Sequence, residues 1–176
     1  MATATEQLQG TYVLDPVHSS ASFAVKHMVV STFRGRFENF DATLTDGKLV
    51  GTVDVGSIVV KDENLAAHLQ SPEFFDAERH PELRFESTDI RPTEGNEIVV
   101  DGELTIKGIT KPVEARGTLE GPHVTFGDVN KVGLTLEAII DRTEFGLNWN
   151  VPLPTGEPAL ANDVSLTAEL YLVKAA

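Results

Sequence analysis

Asp76, Glu78, His80 and Glu82 stand at every second position of one short stretch. On an extended chain, residues at period two share a face, and three carboxylates with an imidazole could hold a hard cation. Pro81 interrupts the run, however, and the stretch lies in a long connection after a helical segment. It reads as a solvated acidic loop, and no metal is expected. His27 is the second candidate. It shares the apolar parity of its strand with Ala21, Phe23, Val25 and Val29. A neutral imidazole on such a face is either a satisfied core group or a polar contact at the mouth of a cavity, placed to meet a ligand head group. Arg142 follows Asp141 at a strand end, as a structural ion pair or as a donor to a carbonyl or hydroxyl. His18 follows Pro16 as a turn-stabilising residue, His68 sits on the helical segment, and no role is assigned to His123 in its Gly-Pro loop. The chain has no nucleophile elbow, P-loop, dinucleotide-binding glycine pattern or His-Glu-x-x-His zinc motif. No catalytic residue is assigned, and a binding protein is expected rather than an enzyme.

The elements that must position these groups are strands. Val164 to Leu172 alternates oily even positions with mostly polar odd ones, the pattern of a half-buried antiparallel strand. Similar stretches run over 11–14, 20–30, 34–45, 48–60, 83–90, 97–107, 110–120 and 132–142. In the third, Phe33 and Phe37 share one parity while Phe40, Ala42 and Leu44 share the other, so a bulge is expected near Glu38-Asn39. Asp46-Gly47 is a hairpin turn. One segment differs: 63–70 spaces Leu65 and Leu69 as a short helix, with Asp62 as its cap and Ser71-Pro72 as its end. This helix and Phe74-Phe75 form a plug-like connection between strands four and five. The stretch 148–163, rich in Pro, Asn and Gly and carrying Trp149, is a long loop before the last strand.

Composition narrows the function classes. The 176 residues suit one domain, with a tail over 1–10 and a single barrel over 11–174. A formal net charge of −13 opposes nucleic-acid binding and anionic membrane surfaces. The absence of cysteine excludes disulfides, thiolate zinc sites and cysteine nucleophiles. No window is apolar for long enough to span a bilayer and the first ten residues are not a secretory signal, so a cytoplasmic protein without stable membrane insertion is expected.

A sheet with one dry face and almost no helix to cover it must curl until that face meets itself. The fold class expected is all-β. A closed barrel of about eight strands either fills with side chains or holds one small ligand. The inward positions carry Ala, Val and Gly as well as Phe, which makes a dry, narrow bore suited to a slender apolar molecule.

Several motifs occur in fixed order: Tyr12 to Ser20 with Phe23 to His27, then Phe33 to Phe37, then His68 to Asp76 with His80-Pro81 and Phe85, then Gly102 to Val113, then Asp141 to Gly146. In these the chain resembles the YceI-like family of polyisoprenoid-binding, lipocalin-like proteins. The resemblance spans about Tyr12 to Lys174. It implies an extended eight-stranded antiparallel barrel, a long pocket for an isoprenoid lipid such as a quinone or a polyprenyl chain, and a homodimer. Many relatives are periplasmic. Val60 and Ala66-Ala67 stand where members often show a Thr and an Arg-Asp pair. The ligand-binding residues expected are Phe23, Val25, His27, Phe37, Leu69, Phe74, Phe75, Phe85, Arg142 and Trp149. No cofactor is required beyond the bound lipid, held for storage or transport. The alternatives are an enzyme acting on a bound lipid or quinone, and a packed barrel serving as an interaction or stress-response module.

Overall fold

A computed structural model describes residues 8–175 of the chain. The period-two stretches form eleven strands: β1 (Thr11–Leu14), β2 (Ser20–His27), β3 (Ser31–Phe37), β4 (Phe40–Thr45), β5 (Lys48–Asp54), β6 (Ile58–Val59), β7 (Glu82–Pro92), β8 (Glu97–Ile106), β9 (Ile109–Val124), β10 (Asn130–Asp141) and β11 (Leu160–Lys174). One α-helix, α1 (Glu63–Gln70), interrupts them after β6. The order β1-β4-β5-β7-β8-β9-β10-β11 closes on itself through antiparallel pairing of β1 with β11, which makes an eight-stranded barrel. Strands β2, β3 and β6 prolong β1, β4 and β5 along the barrel, and β2 pairs with the other half of β11 from Glu169↔Ser20 to Leu160↔His27.

The breaks between these half-strands have local causes. The bend expected near Glu38-Asn39 separates β3 from β4, and its partner strand bends with it. There Asp54 N–H donates to Asn39 O at 2.9 Å, Asn39 N–H to Ser57 Oγ at 3.0 Å, and Asp54 caps a 3-10 turn by accepting from Gly56 N–H at 3.0 Å. The second strand, expected to reach Val30, ends at His27, because Met28 and Val29 take positive φ values of 54° and 66°. Asp62 caps α1, accepting from Asn64 N–H at 2.8 Å, and Ser71 Oγ closes its last turn on His68 O at 2.6 Å.

The interior has two parts. At the end where β1 begins and β11 finishes, Leu8, Tyr12, Leu44, Leu49, Val100, Leu134 and Leu172 are at most 2% exposed and fill the bore. Ser87, buried beside a register shift in β7, accepts from Leu49 N–H at 2.8 Å, so the irregularity leaves no orphan donor there. Leu8 belongs to this packing although the sequence places it in a tail; residues 1–7 of that expected tail lie outside the described residues. At the other end, α1 and Phe74 sit across the barrel with Leu69 and Phe74 buried. Phe75 reaches between Phe23 and Phe37, at ring centroid distances of 6.4 and 6.1 Å.

Candidate functional site

Between the filled end and the helix, the bore is hollow. Two cavities of about 150 Å³ each lie in sequence along it. Phe37, Leu83 and Leu166 line both and form the waist between them. The inner cavity is walled by small residues, Ala21, Ala42, Gly51, Ala115, Ala138 and Ala168, with Phe85 beside them. An inward alanine leaves room that an inward leucine would fill, so the bore is wide where alanines of several strands coincide. A cavity of this size with such walls stays dry and accepts apolar atoms. Placed end to end, the two reach the lower end of ligand-pocket volumes, roughly 300 Å³.

The outer cavity lies under α1. Nine of the ten expected residues line it: Phe23, Val25, His27, Phe37, Leu69, Phe74, Phe75, Arg142 and Trp149. Phe85 is not among them; it projects into the inner cavity, because β7 pairs it with Gly51 of β5 deeper in the barrel. Sequence reasoning missed Leu83 and Leu166, which form the waist, and His68, whose ring stands edge-on to Phe74 and Trp149 at 4.9 and 5.2 Å. The parity of their strands was the signal for both leucines.

Three polar side chains border this apolar space. Arg142 is 3% exposed, yet among the described residues the carboxylate of its neighbour Asp141 makes no ion pair with it. Its guanidinium instead donates to backbone carbonyls: Nε to Ala161 at 2.8 Å, one terminal nitrogen to Leu147 and Trp149 at 2.5 and 2.9 Å, the other to Leu160 at 3.3 Å. Burial pushes its pKa down from the ordinary value, with the Asp141 charge opposing. Arg142 thus clamps the long loop back onto the barrel rim. Asn150 assists, donating to Leu160 O at 2.7 Å and accepting from Leu160 N–H at 3.0 Å. His68 Nε2 lies 2.6 Å from Glu73 Oε2. His27 is half-buried, and its imidazole has no hydrogen-bond partner among the described residues. It is the polar group left available at the rim.

The acidic stretch is only partly the solvated loop expected: Glu78 is exposed, but Asp76 is 6% exposed and Glu82 already belongs to β7. No group of three or more potential metal ligands occurs among the described residues. His18 Nδ1 lies 2.7 Å from Asp15 Oδ2 in the turn after β1. No helix among the described residues is long and apolar enough to cross a membrane.

A closed barrel of this strand order, hollow under a helical cover, can be compared with known proteins. The profile of the YceI-like domain matches residues 12–172. The chain belongs to the YceI-like family. A UPF0312 protein of Staphylococcus aureus is 34% identical over 169 residues, covering 89% of this chain and 94% of its own. A UPF0312 protein of Staphylococcus epidermidis is 33% identical over 165 residues, covering 88% and 92%. Among solved structures, Burkholderia cenocepacia BcnA superposes with a TM-score of 0.76 at 24% identity, over 90% of this chain and 98% of that one. A polyisoprenoid-binding domain from Saccharophagus degradans, implicated in plant cell wall breakdown, gives 0.72 at 11% identity, over 93% and 98%. At such identities the YceI-like chain shares the fold of these structures.

Proposed function

We propose that this YceI-like barrel binds a slender apolar chain of isoprenoid type along its bore, with the polar end of the ligand at the His27 rim. One observation carries the reading: two dry cavities in line, divided by Phe37, Leu83 and Leu166, which line both, with an unpartnered imidazole at the outer end. The waist selects narrow molecules. Burying ten methylene-sized groups is worth roughly 8 kcal/mol at about 0.8 each, before association costs of several kcal/mol, so apolar contact alone supplies useful affinity. The binding activity named for the Saccharophagus degradans domain supports the same ligand class. Quinones and polyprenyl alcohols or phosphates fall within it, and storage or transport is the role that a dry container serves.

The test is organic extraction of the purified protein with mass spectrometry, followed by uptake of added polyprenol. The expected result is an isoprenoid in the extract or stoichiometric uptake, abolished by Ala138→Phe in the inner cavity. Blank extracts with no uptake by the unaltered chain would remove the reading. A second reading, an enzyme acting on a bound quinone, rests on the available acid–base group of His27. It predicts turnover that His27→Gln removes while the ligand is retained. His68, held against Glu73 at 2.6 Å, is the other imidazole on the wall of this cavity, so the paired variant His68→Gln belongs in the same test.

A further inference from the structure

The turn joining β2 to β3 is Met28-Val29-Val30. Turns that need a left-handed backbone ordinarily carry Asn or Gly, and a β-branched residue there is strained. Here Met28 and Val29 take that conformation, at φ 54° and 66°. The three side chains are 43%, 53% and 87% exposed. Val151, itself exposed, lies close by, since Met28 N–H donates to Ala159 O at 2.7 Å and Ala159 N–H to Val151 O at 2.9 Å. Four apolar side chains therefore crown the rim of the outer cavity, next to His27. A turn both strained and oily gains nothing from water. Strain and apolar exposure of this kind persist at sites that engage something else.

The surrounding charge says what that is. No acid occurs over 16–37 or 55–60, although the chain carries a net charge of −13. The two segments and the residue after them instead supply Lys26, Arg34, Arg36 and Lys61. Lys26, Arg34 and Arg36 alternate with the inward Val25, Phe33 and Phe37, so they face outward on the same hairpin. Among the described residues only Arg36 of these four has an ion pair, with Glu38 at 3.3 Å. Asp62 and Glu63 flank the strip, with Asp62 turned onto the α1 N-terminus, and the exposed Asp163 of β11 lies beside Lys26 across the β2–β11 pairing, which leaves Arg34, Arg36 and Lys61 as the cations farthest from it. Charges on a far surface are screened beyond about 8 Å at physiological salt, so a body approaching this rim meets the local cations rather than the net charge.

We propose that the Met28–Val30 turn and Val151 dip into an anionic lipid surface, with Lys26, Arg34, Arg36 and Lys61 against its headgroups. The cavity mouth then faces the acyl layer from which an apolar chain would enter. This docking is peripheral and reversible, and it extends the container reading while being separable from it.

Flotation with vesicles of phosphatidylglycerol and phosphatidylcholine, against phosphatidylcholine alone, tests it. The chain should float with the anionic vesicles at low salt and be released as salt rises. Val29→Asp with Val30→Asp should abolish flotation while circular dichroism is unchanged, since Asp tolerates the left-handed backbone. Lys26→Glu or Arg34→Glu should weaken it at least about fivefold each. Met28→Asn with Val29→Gly should raise the melting temperature and still lose flotation. Uptake of polyprenol from detergent should survive in the aspartate variant, so failure of docking and failure of cavity binding read out separately. The proposal is overturned by no flotation of the unaltered chain at low salt, or by flotation indifferent to the aspartates. It is equally overturned if the aspartate variant passes from dimer to monomer in sedimentation while the unaltered chain binds no vesicles, because a second copy would then cover the turn.

Discussion

The two ends of this barrel share the long strands β7 to β11 and do opposite things. At the Leu8 end, Tyr12, Leu44, Leu134 and Leu172 meet across the axis and leave no space. Toward the helix end, alanines from several strands are followed by Phe23 of β2, Phe37 of β3 and Phe75, and the bore stays open beneath α1. Close apolar packing across the axis holds the first. The second depends on side-chain clamps, because a long loop must be fixed over a hollow that offers it little to pack on. Stability and binding are thereby separated along one axis.

Arg142→Met should show the largest effect. It strands the carbonyls of Leu147, Trp149 and Ala161, while Leu160 O keeps its bond from Asn150; unsatisfied buried groups cost about 1–3 kcal/mol each before water relieves them. A net loss of about 3–5 kcal/mol is expected, read as a fall in melting temperature of about 2–4 °C per kcal/mol. Arg142→Lys should recover little, since an ammonium cannot span the same carbonyls. A melting temperature within about 1 °C of the unaltered chain would show the clamp to be idle.

Leu134→Ala, at the filled end, should cost about 2–5 kcal/mol in urea denaturation and leave lipid uptake unchanged. A loss of uptake would join the two ends that the structure separates. The contrast sharpens with additions of volume. Val100→Phe at the filled end should cost about 1–3 kcal/mol through overpacking. Ala138→Phe should leave stability unchanged or raise it by about 1 kcal/mol, by filling the inner cavity while blocking the ligand. Equal losses from both substitutions would mean that the bore is not hollow.

The smallest effect concerns pH. A hydrogen bond from His18 chiefly lowers the Asp15 pKa, and hydrogen bonds from the Thr143 side chain and backbone chiefly lower that of Asp141. A folded-state pKa below the unfolded one gives stability that is present above the unfolded value, near about 3.9, and lost as pH falls through the folded value. The urea midpoint should therefore drop below about pH 4. His18→Ala at the joint of β1 and β2, or Thr143→Val at the rim, should each shrink that drop. An unaltered pH profile in both would count against these bonds.

How much of this was legible depended on what each residue's neighbours were. Phe23, Val25 and Phe37 announced themselves by parity, because a strand residue's face follows from its own sequence position. Phe85 shared the parity but reached the other cavity, since its depth is set by pairing with β5. Val99 broke the rule: it lies on the opposite parity to Ile98 and Val100 yet is 3% exposed. Its register partners Arg91 and Arg116 lie on either side, where long arginine stems can cover a small apolar side chain. In the sequence Arg142 reads either as an ion pair with Asp141 or as a donor to a carbonyl or hydroxyl of a ligand. Its real partners are backbone carbonyls supplied by a loop, and backbone groups carry no signature in residue type. Leu8 looked like part of a tail because one leucine has no period.

By itself the sequence determined that the chain would form antiparallel strands with one dry face, a short helix between the fourth and fifth of the strands it showed, and a bulge near Glu38-Asn39. Those features follow from alternation, capping and local turn chemistry, which act over a few residues. Closure of β1 onto β11, the coincidence of alanines at one depth and of leucines at another, and the grip of Arg142 on its loop were decided only by the tertiary structure. Each depends on residues far apart in the chain arriving at the same height around a ring, and that height is set by the register of all eight strands together.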